Sequence, residues 1–207
     1  LNVGKCLFVF IVILLQACTT PEQQITRLFE ELGKYETNIS EHENQLVRLE
    51  KNQTALYNDI MTLGMKQVDD IAKLADEAEA LIYQREKQLE AEYESIKKAT
   101  KQMEMINRYT SDIHDETLKQ RLHQLIQTGE KRYASYEKLY DHYHTALTAE
   151  KKLCRLFKQP DVTLADLQAQ IGEVNDAYKK LFSANEQFNE YTQRYNREKK
   201  QLYKILP

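Results

Sequence analysis

Tryptophan is absent from this chain, and glycine, proline and cysteine are scarce: five Gly, three Pro and three Cys. Residues 22 to 159 contain no proline. So few helix breakers, in a chain rich in Ala, Glu, Lys, Leu and Gln, lead to an expectation of long helices. Three cysteines cannot supply a disulfide framework: Cys6 and Cys18 lie in or beside an apolar leader, and Cys154 stands alone as a candidate buried thiol. Charge of one sign is also missing. The formal net charge is −3, and loss of residues 1–17 removes only Lys5, leaving −4. No nucleic acid partner is therefore expected. Gly-rich phosphate loops are lacking, as is any Ser or Cys nucleophile with a recognisable base.

Only one long apolar run is present, CLFVFIVILL at residues 6–15, following Lys5. A membrane span needs roughly 20 such residues, so this one reads as a signal-peptide core. Leu15-Gln16-Ala17-Cys18 follows and resembles the bacterial lipobox. The thiol of Cys18 would accept a diacylglyceryl group, and a peptidase would cut before the modified residue. Residues 1–17 are thus expected to be a lipoprotein signal and 18–21 a lipidated N-terminus with a short tether. The bundle itself is assigned to residues 22–207. Two or more palmitate-type chains would anchor the protein stably, at about 0.8 kcal/mol per buried methylene.

Beyond residue 22, apolar positions alternate at spacings of three and four. One register runs from Ile25 to Leu63 and slips at Gly64; a second runs from Val68 to Ile106. A third runs from Leu118 to Phe157, with Ser111 and Asp112 as candidate helix caps before it. The fourth, from Leu164 to Leu202, is opened by Thr163 and Asp166 in capping-box order. Each block would form a rod of roughly 65 Å. The expected fold is all-α, an elongated up-and-down four-helix bundle. A three-helix, spectrin-like bundle is the alternative, with Gly64 a stutter in one continuous helix. Four antiparallel rods would bring the basic C-terminal stretch (Arg194, Arg197, Lys199, Lys200, Lys204) back to the lipid-bearing end. That charge suits either anionic headgroups or simply a helix C-terminus.

Chemistry is thinly signalled. His142 and His144 point roughly 200° apart on a helix, His114 lacks ligand spacing, and His42 sits in the core register, so no metal is expected. Carboxylates occupy solvated faces beside Lys, and a slender bundle gives no cleft to pair them in. No enzyme activity and no cofactor are expected. The thirteen tyrosines are the distinctive feature. In the last block Asn185, Phe188, Asn189, Tyr191, Tyr195 and Asn196 interleave aromatics with amides. Such a set is either a platform for sugar rings or a row of core knobs with hydroxyls at the rim.

Phe188-Asn189-Glu190-Tyr191-Thr192-Gln193-Arg194-Tyr195-Asn196 is similar to the C-terminal signature of a cell-wall-binding lipoprotein family of Gram-positive bacteria (YkyA type). Arg132-Tyr133 through Tyr143, Val162 through Leu167, and Asn175 with Tyr178 extend the likeness over nearly the whole chain. The resemblance implies a lipid-anchored bundle on the outer face of the cytoplasmic membrane, reaching into the wall. Its implied partners are the membrane and peptidoglycan or other wall polymers. It carries no catalytic residues. A protein–protein scaffold for envelope proteins is the competing function.

Overall fold

The computed structural model describes residues 20–63 and 67–206, and these form four helices with no strand among them. They are α1 (Pro21–Thr62), α2 (Val68–Thr110), α3 (Glu116–Phe157) and α4 (Leu164–Leu202). The proposed signal, Cys18 and Gly64 lie outside the described residues.

Helix ends follow local chemistry. Thr20 caps α1 in a reciprocal box: its hydroxyl accepts from the Gln23 backbone, and the Gln23 amide oxygen accepts from the Thr20 N–H, each at 3.2 Å. Pro21 fills the first helical position, where a missing N–H costs nothing. Thr163 and Asp166 form the expected box at α4. At α3 the expected caps are corrected. Ser111 ends α2, and the cap is Asp115, whose carboxylate accepts from Thr117 N (2.8 Å) and Leu118 N (3.0 Å). Ile113, buried between them, plugs the bundle end and delays the helix start.

All sequential neighbours run antiparallel, so the four-helix reading holds and the three-helix alternative falls. Gln102 donates to the Leu28 carbonyl (3.1 Å) between α1 and α2, and Lys158 reaches Asp76 (2.9 Å) between α2 and α3. Arg121 reaches Gln201 (2.8 Å) between α3 and α4. The apolar registers are the core: Ile25, Leu32, Ile82, Ile96, Ile106, Leu122 and Leu125 are essentially inaccessible, each contributing about 2 kcal/mol of burial. Small residues join the core: Ala75, Ala78 and Ala99 of α2 are fully buried, and Ala177 and Ala184 of α4 nearly so.

The bundle is not equally closed on all sides. α1–α2 and α3–α4 are close hairpins joined through α2–α3, while the Cα atoms of α1 and α4 nowhere approach within 8 Å. Near the end that carries Thr20, side chains seal this seam. Phe29 meets Tyr203 edge-on (5.9 Å between centroids), and Lys199 pairs with Glu36. Further along, the seam opens.

Candidate binding groove

Between α1 and α4 lies a groove of about 620 Å³, bounded on α1 by residues 43 to 61 and on α4 by residues 171 to 188. α2 and α3 form its floor. The expectation of a cleft-free bundle is therefore corrected: the α1–α4 face departs from a sealed rod. Leu46, Leu89, Leu139, Val174, Leu181 and Phe188 make most of its wall apolar, and Val47, Met61 and Phe182 stand exposed on its lips.

Its floor is polar and centred on Arg85, which is 1% exposed. From α2, Arg85 donates to partners on all three other helices. One terminal nitrogen bonds Gln53 (2.7 Å) and Glu150 (2.6 Å); the other bonds Tyr178 (2.7 Å), Tyr143 (3.1 Å) and Glu50 (3.3 Å). Tyr143 donates onward to Glu50, and Tyr178 to Glu150 (3.1 Å). Gln53 passes the chain to Tyr57 (2.8 Å), whose hydroxyl sits 3.6 Å from the Cys154 sulfur. Burial alone would lower the Arg85 pKa, but Glu150 and the two tyrosines outweigh it and raise it further. Burial shifts Glu150 upward against the pull of Arg85, and pushes the Cys154 thiol up to about 11. A guanidinium so placed must stay paired, because a buried charge without its partner costs several kcal/mol.

A second, unlike feature lies at the groove's end nearer Thr20. Glu92 is 5% exposed and lines the groove without any cation within salt-bridge distance. Burial, with repulsion from Glu43 on α1, pushes it up to about 8; Tyr136 and Arg132 oppose the shift. The Tyr136 hydroxyl is also buried in the lining and has no hydrogen-bond partner of good geometry.

The sequence-derived site residues scatter. Asn185 and Phe188 line the groove, and Asn189 stands exposed with its amide 3.4 Å from Asn185. Tyr191 is half-buried and Asn196 exposed on the outer flank. Tyr195 is 0% exposed, locked between Gly129 and the Arg132 guanidinium (5.4 Å), so no external polymer can stack on it. It is withdrawn from the contact set. Phe188, 6% exposed, packs edge-on to Tyr136 (5.4 Å) and offers only one edge to the groove. His42 bonds Gln88 (2.9 Å) and His144 bonds Glu90 (3.0 Å), each an ordinary rim contact. Among the described residues, no three metal-ligating side chains converge.

Residues Arg85, Glu92 and Glu150 escaped the sequence reading as site residues although each falls in a core register. A charge at a position reserved for an apolar knob was the available signal.

This is a four-helix bundle whose distinctive feature is an open, amphipathic seam. The family described as "Putative cell-wall binding lipoprotein" matches residues 20–205, and the chain belongs to it. A curated relative, "Uncharacterized lipoprotein YkyA" of Bacillus subtilis (strain 168), is 32% identical over 183 residues, covering 88% of this chain and 82% of its own. A conserved protein of unknown function from Staphylococcus aureus shares the fold, with a TM-score of 0.68 at 20% identity over 88% of this chain and 93% of that one. No helix among the described residues is long and apolar enough to cross a membrane.

Proposed function

We propose that the protein is lipidated at Cys18, stands on the outer face of the cytoplasmic membrane, and holds a strand of peptidoglycan or another wall polymer in the α1–α4 groove. The position of the groove carries this reading. Its α1 wall begins about 35 Å from Thr20 and ends about 60 Å from it, at 1.5 Å per residue. The rod would thus hold its site away from the bilayer. Helix α1 starts at Pro21, three residues beyond Cys18, which leaves almost no slack between anchor and rod. The exposed Arg197, Lys200 and Lys204 lie at the same end and suit anionic headgroups. The family description supports the wall as partner.

Contact falls to Asn185 and the Phe188 edge within the groove, to Asn189 exposed beside Asn185, and to Tyr191 and Asn196 only if the polymer wraps the outer flank. The full-length protein in detergent, incubated with purified wall sacculi, tests the proposal. Retention that survives moderate salt and falls in Phe182→Ala/Asn185→Ala, but not in Tyr191→Ala/Asn196→Ala, is expected. Loss only in the outer-flank variant would move the contact surface off the groove. No retention at all, with envelope proteins co-purifying instead, would favour the scaffold, for which the exposed Val47, Met61 and Phe182 provide the apolar lips.

A further inference from the structure

The groove has a chemical polarity of its own. Its charged lining residues are Glu43, Glu50, Glu92, Glu150 and Arg85. Arg85 already serves Glu50 and Glu150, which leaves the Glu43–Glu92 end with no cation in contact. Glu92 is enclosed from α2, and Glu43 approaches it from α1. Helix α3 adds the Tyr136 hydroxyl, buried beside the Glu92 carboxyl but without a hydrogen bond of good geometry, and Arg132, which attracts Glu92 from behind Phe188 with its cation over that ring at 5.1 Å. Helix α4 contributes only Asn185 and Phe188, both uncharged. A buried carboxyl group and the hydroxyl beside it line the open cavity, with apolar walls leading to them. Each would gain a partner from a donor entering along the groove.

We propose that this end of the groove is a receptor for a primary ammonium group carried on a slender apolar chain, received by Glu92 and Glu43 with the Tyr136 oxygen as a further acceptor. The site deepens the wall-binding reading and rests on it for the ligand's source: free amino groups of wall peptides, or aminoacyl esters on wall polymers. An apolar chain fits Leu46, Leu89 and Leu139 at this end, and a charged tip then reaches acids of the lining that have no ion pair among the described residues. Burial pushes Glu92 up to about 8, and an arriving ammonium favours its charged form, so binding drives a proton to solvent near neutral pH. Binding and proton release are thereby coupled.

The test uses the full-length protein in detergent with Nα-acetyl-lysine methylamide, whose four-carbon side chain ends in the required ammonium. Its Nε-acetyl counterpart is the control. Titration calorimetry at pH 7 in buffers of differing ionisation enthalpy is expected to show binding with release of a proton. Acetylation of the amine and Glu92→Gln should each weaken binding at least tenfold. Glu36→Gln, an acid of the sealed end already paired with Lys199, should leave binding unchanged. Equal binding of the acetylated probe, or binding unchanged in Glu92→Gln, would overturn the proposal. Glu92→Gln should fold at least as well as the parent, so misfolding does not cloud the result. Sacculi separate the sources. Retention lost on amine acetylation but kept after mild alkali points to wall peptides, and loss on alkali points to esters. Groove-dependent retention that ignores both treatments overturns the ammonium site and leaves wall binding standing. Amine binding without any sacculus retention does the reverse.

Discussion

The two halves of the α1–α4 seam are built on the same seven-residue rhythm, yet one is sealed and the other open. The row of α1 that faces α4 reads Phe29, Glu36, Glu43, Glu50, Tyr57. At the sealed end Phe29 is 1% exposed and belongs to the largest apolar cluster, with Phe188, Tyr195 and Leu202 of α4. Glu36, the first acid of the row, is paired with Lys199; from Glu43 onward only Leu46, Gln53 and Ile60, every seventh residue, remain buried on α1. An opposing row on α4 reads Ile171, Tyr178, Asn185, Thr192, Lys199, with its polar members Thr192 and Lys199 toward the sealed end. The seam closes where the Phe29 and Tyr203 rings meet and Glu36 finds its cation on α4, and it opens where Glu43 and Glu50 of α1 make no ion pair with α4 among the described residues. The seam thus separates a structural half from a half that can receive something.

Breaking the open half at its centre should have the largest effect. Arg85→Met strands Glu150, whose side chain is 5% exposed, and should cost about 3–5 kcal/mol in urea unfolding. Adding Glu150→Leu should return most of that loss, because a buried ion pair and an apolar pair of similar volume are nearly equivalent. Failure of the double variant to recover would mean that Arg85 holds α1 and α4 through Glu50 and Tyr178 rather than through Glu150.

The sealed half makes the matching prediction. Tyr195→Ala removes a fully enclosed ring whose hydroxyl has no partner, so it should cost about 3–4 kcal/mol, at the low end for a large aromatic. Phe182→Ala, 61% exposed on the groove lip, should change stability by less than about 0.5 kcal/mol. A neutral Tyr195→Ala would show that the end is not closed.

A pH scan sharpens the contrast further. Burial and then Glu43 push Glu92 up to about 8 from an ordinary 4.5. Below pH 4.5 folded and unfolded chains both hold the proton. Between 4.5 and 8 the unfolded chain releases it while the folded chain keeps it, so stability falls as pH rises through this window and levels off above it. Glu92→Gln should therefore stabilise the protein at pH 8 by about 3 kcal/mol and flatten the slope. Glu150, displaced upward as well, would account for the slope that remains. A slope unchanged in Glu92→Gln would place the titration elsewhere.

Much of this architecture was legible before any coordinates. Heptad registers name the core almost residue by residue, from Ile25 to Leu202, because a 3-4 alternation on a long helix can be buried only against neighbours. The Thr163 box was equally plain. The Asp115 cap was not, since Ser111, Asp112 and Asp115 are all acceptable caps and Ile113 decides among them by needing burial. The groove stayed hidden for a related reason. Periodicity states which face of a helix is apolar, but not that α4 packs on α3 and stays clear of α1. Gln53, Arg85, Glu92 and Glu150 in apolar registers mark the place, because polar groups at core positions need a built environment.

Three helical glycines give the smallest and most local comparison. Gly33 on α1 and Gly172 on α4 have nothing within 4 Å of where a Cβ would stand, so alanine adds no clash and removes backbone freedom from the unfolded chain. Each change should stabilise by about 0.5–1 kcal/mol, measurable as a rise in Tm. Gly129 lies in the sealed half, where a Cβ would meet the Met103 methyl at 3.0 Å and the Tyr195 ring at 3.4 Å. Methionine is flexible enough to move, but the movement is into a filled core, so Gly129→Ala should gain nothing or lose up to about 1 kcal/mol. If all three alanines stabilised alike, Met103 would have room to spare at Gly129. The sealed half would then owe its closure to the rings of Phe29, Tyr195 and Tyr203 rather than to close approach of α2 and α3.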